Sequence, residues 1–355
     1  MKGLLATLSR ELRAYFFSPL AYVVLTFFLL VNGYVFWFIL SYLNDPRAAD
    51  QAEELLKANV KIRAEIPEGA RTASVLGKER EGHGIVLDTK GHILTTGYLI
   101  IESESIEVTG PDGKKVKAAF VGYDHATGFG ILRTESALNV EPLKLGNSSD
   151  LKEGAPVIVA GHGGRESAIG ARVVARREFT GYWEYIMDNA IYTAPAYAKF
   201  AGAALIGPDG RLLGVGSLFT PLAVPGLGAL PCNVFIPIDL LRPILEDLIT
   251  TGRPGTPAKP WMGINAEENH GRVFITRITE GGPAEEAGLQ TDDLILKVNG
   301  QSVEGLADFY RKVWAAGSAG VEVTLGILKG VEIKEVSVRT GDRNKFLLMK
   351  PKKTI

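Results

Sequence analysis

The stretch that decides the fold reads Ile191-Tyr-Thr-Ala-Pro-Ala-Tyr-Ala-Lys-Phe-Ala-Gly-Ala-Ala-Leu205 and continues into Ile206-Gly-Pro-Asp-Gly-Arg-Leu-Leu-Gly-Val-Gly216. Within it, Pro208-Asp-Gly210 is a strong turn signal, because proline presets one backbone angle and glycine accepts the left-handed region. The apolar run Leu212–Leu218 follows the turn and predicts a β-strand. The passage therefore predicts short strands joined by tight turns.

The same pattern extends to both sides of this stretch. Alternating runs bounded by turn residues predict further strands at Gly84–Asp88, Ile93–Thr95, Ser105–Thr109, Lys115–Tyr123, Gly130–Arg133, Pro156–Ala160 and Ala171–Arg177. The chain contains 41 glycines and 18 prolines, which is typical of a turn-rich, mainly β protein. The strand spacing predicts a double β-barrel over residues 71–250.

The opening stretch resembles the serine motif of the HtrA/Deg branch of trypsin-like serine proteases. That motif reads approximately T-A-P-(I/V)-S-P-G-N-S-G-G-P-L, and Thr193-Ala-Pro195, Gly202 and Leu205 match it. The position of the catalytic serine falls on Ala201. Two residues earlier, the glycine whose N–H forms half of the oxyanion hole in the family is Lys199 here.

The histidine and aspartate motifs of the family have counterparts in the right order and at family-like spacing. Residues 82–100 follow the histidine motif closely, but its histidine position is Tyr98. Residues 123–132 keep the frame of the aspartate motif, with Gly128 at its aspartate position. The resemblance therefore implies a trypsin-like double β-barrel whose three catalytic positions are all substituted.

Other residues do not rebuild a catalytic site in the sequence. The five histidines lie at positions 83, 92, 125, 162 and 270, and we expect surface or turn roles for them. Ser217 lies one strand beyond Ala201 without the sharp turn that exposes a nucleophile. No metal-ligand spacing is present, and no cofactor is expected. The single cysteine, Cys232, excludes an internal disulfide and is expected to be a buried apolar residue.

Residues 19–43 carry no charge and are long enough to cross a hydrocarbon core. We predict a retained transmembrane anchor there. Basic residues precede it and acidic residues follow it, so residues 1–18 are expected in the cytoplasm and the remainder on the extracytoplasmic, periplasmic side of the inner membrane. Residues 10–24 also resemble the first span of ABC-2-type permeases, which suggests an attachment to an ABC-type export system. Residues 44–70 are predicted to be a linker with a short amphipathic helix, or a solvated tether.

The proline- and glycine-rich residues 251–260 predict a second linker, and residues 261–342 resemble a PDZ domain. Trp261-Met-Gly-Ile264 stands at the place of the carboxylate-binding loop, where the resemblance implies that Trp261, Met262, Gly263 and Ile264 bind a peptide C-terminus by β-addition. A later helix carries apolar residues at helical spacing, of which Phe309 and Val313 would face the groove. Residues 343–355 are predicted to be a basic tail.

Three functions follow from these features. The first is a membrane-anchored pseudoprotease that binds peptide or protein C-termini as a scaffold or sensor, and the resemblance implies a homo-oligomer, a trimer. The second is an active HtrA-type endopeptidase of envelope quality control, which the three substitutions disfavour. The third is an accessory subunit of an export system. The formal charge of −1 gives no reason to expect nucleic acid as a partner.

Overall fold

The computed structural model of the chain describes residues 22–23, 26–34, 53–224 and 228–349. Contacts divide the chain into two compact units, Met1–Glu53 and Glu54–Ile355. In the first unit, residues 22–23 and 26–34 are helical. Within the described residues no helix is both long and apolar enough to span a membrane. Most of the anchor predicted over residues 19–43 lies outside the described residues.

Six antiparallel strands form a first closed barrel in the order β1-β2-β3-β6-β5-β4. Their bounds are β1 Asn59–Glu65, β2 Glu79–Val86, β3 His92–Thr96, β4 Ser105–Thr109, β5 Lys115–Tyr123 and β6 Phe129–Thr134, with helix α1 at Ala73–Leu76 between β1 and β2. The linker predicted over residues 44–70 is therefore wrong in its second half. Val60, Ile62 and Ala64 alternate along β1 and point into the barrel, so this part of the chain follows a period of two.

A second closed barrel has the order β10-β11-β12-β9-β8-β7. Its strands are β7 Pro156–Ala160, β8 Ala168–Gly181, β9 Tyr185–Ala194, β10 Ala204–Ile206, β11 Leu212–Val224 and β12 Gly228–Pro237, followed by helix α2 at Leu245–Thr250. The predicted turn at Pro208–Gly210 joins β10 to β11. Cys232 is a free, fully buried thiol on β12, as its apolar character predicts.

The C-terminal part is a sheet of order β13-β14-β15-β17-β18 with β16 paired to β15. The bounds are β13 Ile264–Asn269, β14 Arg272–Ile278, α3 Pro283–Glu286, β15 Leu294–Val298, β16 Gln301–Ser302, α4 Leu306–Ala315, β17 Glu322–Lys329 and β18 Glu332–Arg339. Helix α4 buries Leu306, Phe309, Tyr310 and Val313, the face that the helical spacing predicts.

The residues predicted as a basic tail are packed against the body of the protein as far as the structure describes them. Helix α5, Arg343–Phe346, places the Phe346 ring 4.7 Å from that of Trp261. Leu347 is buried with Ile101 and Tyr123 of the first barrel. The apolar residues Phe346 and Leu347 therefore determine how this segment packs, although it also carries basic residues.

Candidate functional site

Tyr98, at the histidine position of the resemblance, lies in a single 3₁₀ turn, Gly97–Leu99, directly after β3. Its hydroxyl donates to the backbone carbonyl oxygen of Ser217 at 2.9 Å. Burial raises the pKa of the Tyr98 phenol to about 12. Near neutral pH, Tyr98 is therefore a neutral hydrogen-bond donor and offers no base to a neighbouring hydroxyl.

Gly128, at the aspartate position, has a φ of +85°, in the left-handed region. Its carbonyl oxygen accepts from the N–H of Gly97 at 2.8 Å, which links the aspartate position to the residue before Tyr98. A Cβ atom on Gly128 would lie 3.3 Å from the hydroxyl oxygen of Tyr185 and 3.4 Å from Ile236 Cδ1. The site therefore favours glycine both in backbone conformation and in space.

Ala201, at the serine position, lies in the loop between β9 and β10. Its carbonyl oxygen accepts from the N–H of His83 at 2.8 Å. The following residue, Gly202, has a φ of +72°, and a Cβ there would lie 1.9 Å from the His83 carbonyl oxygen. Lys199 is exposed and does not adopt a positive φ. Ala201 carries only a methyl group, so the loop offers no hydroxyl at this position.

Two of the three substituted positions line one cavity, and the third shares an apolar cluster with one of them. Tyr98 and Ala201 pack on the same apolar cluster of the first barrel. Tyr98 and Gly128 also line a cavity of about 410 Å³, together with Phe200, Ser217, Trp183 and Tyr185 among others. None of the residues lining this cavity is an aspartate or glutamate. The described walls are mostly aromatic and aliphatic, with arginines as the charged groups.

The histidines do not all occupy the surface or turn positions expected from the sequence. His83 and His92 are buried strand residues, each 6% exposed. The His83 Nδ1 atom accepts from the N–H of His162 at 3.1 Å. Burial and the nearby charges of His162 and Lys199 lower the pKa of His83 to about 4. His83 is therefore a neutral structural residue, although it is adjacent to the Ala201 loop.

His125 is the imidazole that lines the cavity. Its Nδ1 atom lies 3.0 Å from the Tyr123 hydroxyl, and its Nε2 atom lies 3.0 Å from an Arg343 nitrogen. Burial, followed by the Arg343 charge, lowers the pKa of His125 well below its ordinary value. Among the described residues no group of three or more His, Cys, Asp or Glu side chains could hold a metal ion.

A different set of groups converges at Trp261–Ile264, which we call the carboxylate loop. The N–H groups of Met262, Gly263 and Ile264 donate to the side-chain oxygens of Glu184 at 2.9, 2.8 and 3.1 Å. Glu184 belongs to the β8–β9 turn of the second barrel and is 4% exposed. Burial raises the pKa of Glu184, while the three N–H donors and Arg343 act in the opposite direction.

The predicted groove residues lie near this contact. Phe309 and Val313 are buried in one cluster with Met262, Ile264 and Ile186 of β9. Trp261 exchanges two backbone hydrogen bonds with Gly341, at 3.1 and 2.7 Å, and so anchors the start of the loop. Glu184 was not predicted as a site residue. Its role depends on contacts between distant parts of the chain, and Gly181-Tyr-Trp-Glu-Tyr185 has no motif that signals them.

Comparison with protein families gives two matches. The family "Trypsin-like peptidase domain" matches residues 82–215, and the family "PDZ domain" matches residues 260–340. The first range runs from within β2 to within β11 and so covers parts of both barrels, and the second covers the C-terminal sheet. Phe346 and Leu347 lie beyond the second match.

Curated relatives are named as proteases. A "Probable periplasmic serine endoprotease DegP-like" of Halomonas elongata is 28% identical over 293 residues, which cover 78% of this chain and 59% of that protein. The "Periplasmic pH-dependent serine endoprotease DegQ" of Escherichia coli is 23% identical over 322 residues, covering 82% and 70%. The chain thus spans 59% of the length of the Halomonas relative and of a DegP-like relative from Pseudomonas fluorescens.

A solved structure has a similar fold. It is a serine-to-alanine variant of the HtrA-type protease AlgW with a decapeptide. It superimposes with a TM-score of 0.50 at 18% identity and covers 86% of this chain and 99% of that one. At this identity the likeness shows the fold alone.

Proposed function

We propose that this homologue of HtrA-type proteases, a trypsin-like peptidase domain followed by a PDZ domain, is a catalytically inactive, membrane-anchored protein that binds peptide or protein C-termini. The observation that carries the proposal is the chemistry of the groups at Tyr98, Gly128 and Ala201. Acyl transfer by a serine protease needs a hydroxyl, a base that takes its proton and donors for the oxyanion. Ala201 offers a methyl group where the hydroxyl is needed, and Tyr98 offers a neutral phenol where the base is needed.

The second part of the proposal is carboxylate binding by the PDZ domain. Three consecutive N–H groups of the carboxylate loop bind two oxygens of one carboxylate within 3.1 Å. A peptide C-terminus presents the same group, and β13 is the edge strand of its sheet, which is the position that β-addition uses. The loop is therefore suited to hold the end of a chain, and the protein would act as a scaffold or sensor for such ends.

The location completes the proposal. Residues 19–43 carry no charge over a length that suits a single transmembrane span. The bacterial relatives are named as periplasmic, which supports an extracytoplasmic site for the barrels and the PDZ domain. Assembly into a homo-oligomer, a trimer by resemblance, belongs to the same proposal.

The competing function is an active serine endopeptidase, because the relatives carry that name. Both functions are tested by incubating the detergent-solubilised full chain with unfolded casein and with a fluorophosphonate probe. We expect neither cleavage nor covalent labelling above a heat-inactivated control, while trypsin under the same conditions gives both. A Ser217→Ala variant serves as the matched control. Labelling that is present in the wild type and absent from this variant would identify Ser217 as a nucleophile and overturn the proposal.

A further inference from the structure

The carboxylate loop is already occupied by the protein itself. The β8–β9 hairpin ends with a three-residue turn, Tyr182-Trp-Glu184, which we call the hairpin tip, closed by the Gly181–Tyr185 pair. Glu184 has a φ of +58° in this turn. A non-glycine residue costs about 1 kcal/mol or more in this conformation, and such residues often coincide with a function. Glu184, the residue held in this unfavourable conformation, is also the one whose carboxylate binds the carboxylate loop.

The hairpin tip also pairs with the sheet as a peptide ligand would. The N–H of Ala266 on β13 donates to the carbonyl oxygen of Tyr182 at 2.8 Å. Tyr182 precedes Glu184 by two residues, so the tip offers a carboxylate to the loop and, two residues earlier, a backbone acceptor to the strand. β-Addition of a chain end uses this combination of contacts. The tip thus covers the β13 edge that an external peptide would need.

An apolar side chain accompanies the carboxylate. The side chain of Ile186 is buried in the cluster that contains Phe309 and Val313, and not in the core of the second barrel. Glu184 and Ile186 together present a carboxylate and a branched aliphatic group, which are the two features of a C-terminal isoleucine or valine. This pairing indicates the class of chain end that the groove accepts.

Contacts outside the groove hold the hairpin in place. Arg311 on α4 pairs with Glu178 and with Asp188, the latter at 2.6 Å. Arg343 donates to the carbonyl oxygen of Trp183 at 3.1 Å. The Arg311 pairs are exposed, so each contributes less than about 1 kcal/mol. The hairpin is therefore held by several modest contacts around one buried carboxylate.

We infer that the β8–β9 hairpin is an internal ligand of the PDZ groove, and that an external C-terminus with an aliphatic last residue binds by displacing Glu184 and Ile186. This inference rests on the proposed peptide-binding function. The docked hairpin lowers the apparent affinity for peptides by the fraction of molecules in which the groove is open. Because Trp183 and Tyr185 line the cavity that Tyr98 and Gly128 also line, displacement also rearranges the walls of that cavity.

The test compares variants of the detergent-solubilised full chain. The probe is a fluorescein-labelled decapeptide that ends in isoleucine with a free carboxylate, and its C-terminal amide is the ligand control. Glu184→Ala removes the internal carboxylate. Glu184→Gln keeps its shape but replaces one acceptor oxygen with a donor group. Glu166→Ala removes an exposed glutamate of the same barrel and is the matched control.

In fluorescence-anisotropy titrations, we expect Glu184→Ala to bind the free-acid peptide at least tenfold more tightly than the wild type. Glu184→Gln should lie between them, Glu166→Ala should equal the wild type, and the amide should bind weakly throughout. Equal affinity of all four proteins for the free acid would overturn the inference and leave the proposed function intact. Absence of carboxylate-dependent binding in every folded variant would overturn both.

A second measurement on the wild type covers the case in which the Glu184 variants do not fold. Hydrogen exchange is followed at residues 182–186 with and without saturating free-acid peptide. Displacement predicts faster exchange of these amides when peptide is bound. Bound peptide that leaves their exchange unchanged or slower would show that the hairpin stays docked, contrary to the inference.

Discussion

Restoring the three catalytic residues is expected to fail, and the aspartate position shows why. The change is Tyr98→His, Gly128→Asp and Ala201→Ser together. At a φ of +85°, a residue with a Cβ costs about 1–2 kcal/mol. A partly buried carboxylate without a suitable partner adds about 1–3 kcal/mol. The Cβ would also crowd Tyr185 and Ile236 at 3.3 and 3.4 Å. We therefore expect Gly128→Asp alone to lower the free energy of unfolding by about 2–5 kcal/mol.

Gly113→Asp is the matched control for this change. Gly113 has a similar φ of +78°, but a Cβ there meets nothing within 4 Å. It should show the backbone cost alone, about 1–2 kcal/mol. Unfolding is followed by circular dichroism in urea on the solubilised chain. If the two variants lose equal stability, the contacts around Gly128 do not matter and the reasoning is wrong.

Catalysis provides the second readout for the triple variant. Lys199 does not adopt a positive φ and leaves the oxyanion position without its glycine. Losing one oxyanion donor costs about 10²–10³ in rate in enzymes where this has been measured. Single-turnover acylation by the folded triple variant should therefore stay near background, and added Lys199→Gly should raise it by about that factor. Strong activity in the triple variant would refute this account.

Three further predictions follow. His83 has a pKa of about 4 in the folded chain against an ordinary value of 6.5, so the unfolded chain binds more protons than the folded chain between these two pH values. The contribution of His83 to the free energy of unfolding is therefore fully present above pH 6.5 and falls by about 3 kcal/mol as the pH drops to 4. His83→Asn should flatten this decline in thermal melts followed by circular dichroism, and an unchanged pH profile would contradict the assignment. Gly202→Ala places a Cβ 1.9 Å from the His83 carbonyl oxygen and should lower the free energy of unfolding by more than about 2 kcal/mol or prevent folding. The control Gly170→Ala has open space around its Cβ and should change the free energy of unfolding by less than about 1 kcal/mol. Similar melting of both variants would count against the loop geometry. Alkaline phosphatase fused after Ile355 should be active in a bacterial host and green fluorescent protein dark, because the charge asymmetry around residues 19–43 places the C-terminus outside the cytoplasm; the reverse pattern would place it inside.

Local patterns account for the elements that were predicted well. Turn residues such as Pro208-Asp-Gly210 determine backbone conformation within a few residues, and the α4 face repeats with the helical period. β1 was missed because Val60 and Ile62 follow apolar Leu55 and Leu56, and over this short window two periods fit the same residues. The helix does form at residues 53–57, and the strand begins two residues later.

The site residues also include some that local sequence predicts and some that it does not. Positions 98, 128, 199 and 201 were located from motif spacing, since each motif is contiguous in the chain. The contacts of Glu184 were not predictable, because Met262 and Gly263 lie almost 80 residues away in the sequence. The burial of His83 was missed for a related reason. It depends on the approach of His162 and Tyr197 from the other barrel.

The packed C-terminal segment has a mechanical consequence. The PDZ domain is joined to the second barrel by residues 251–260, and Leu347 returns to the first barrel, where the N–H of Leu348 donates to Glu102 at 2.9 Å. A body tethered at two points does not swing freely. The rotation that stretches neither attachment is about the line that joins them. The second attachment therefore restricts the domain to a hinge motion about that line. Cutting the chain after Gly341 would remove one attachment.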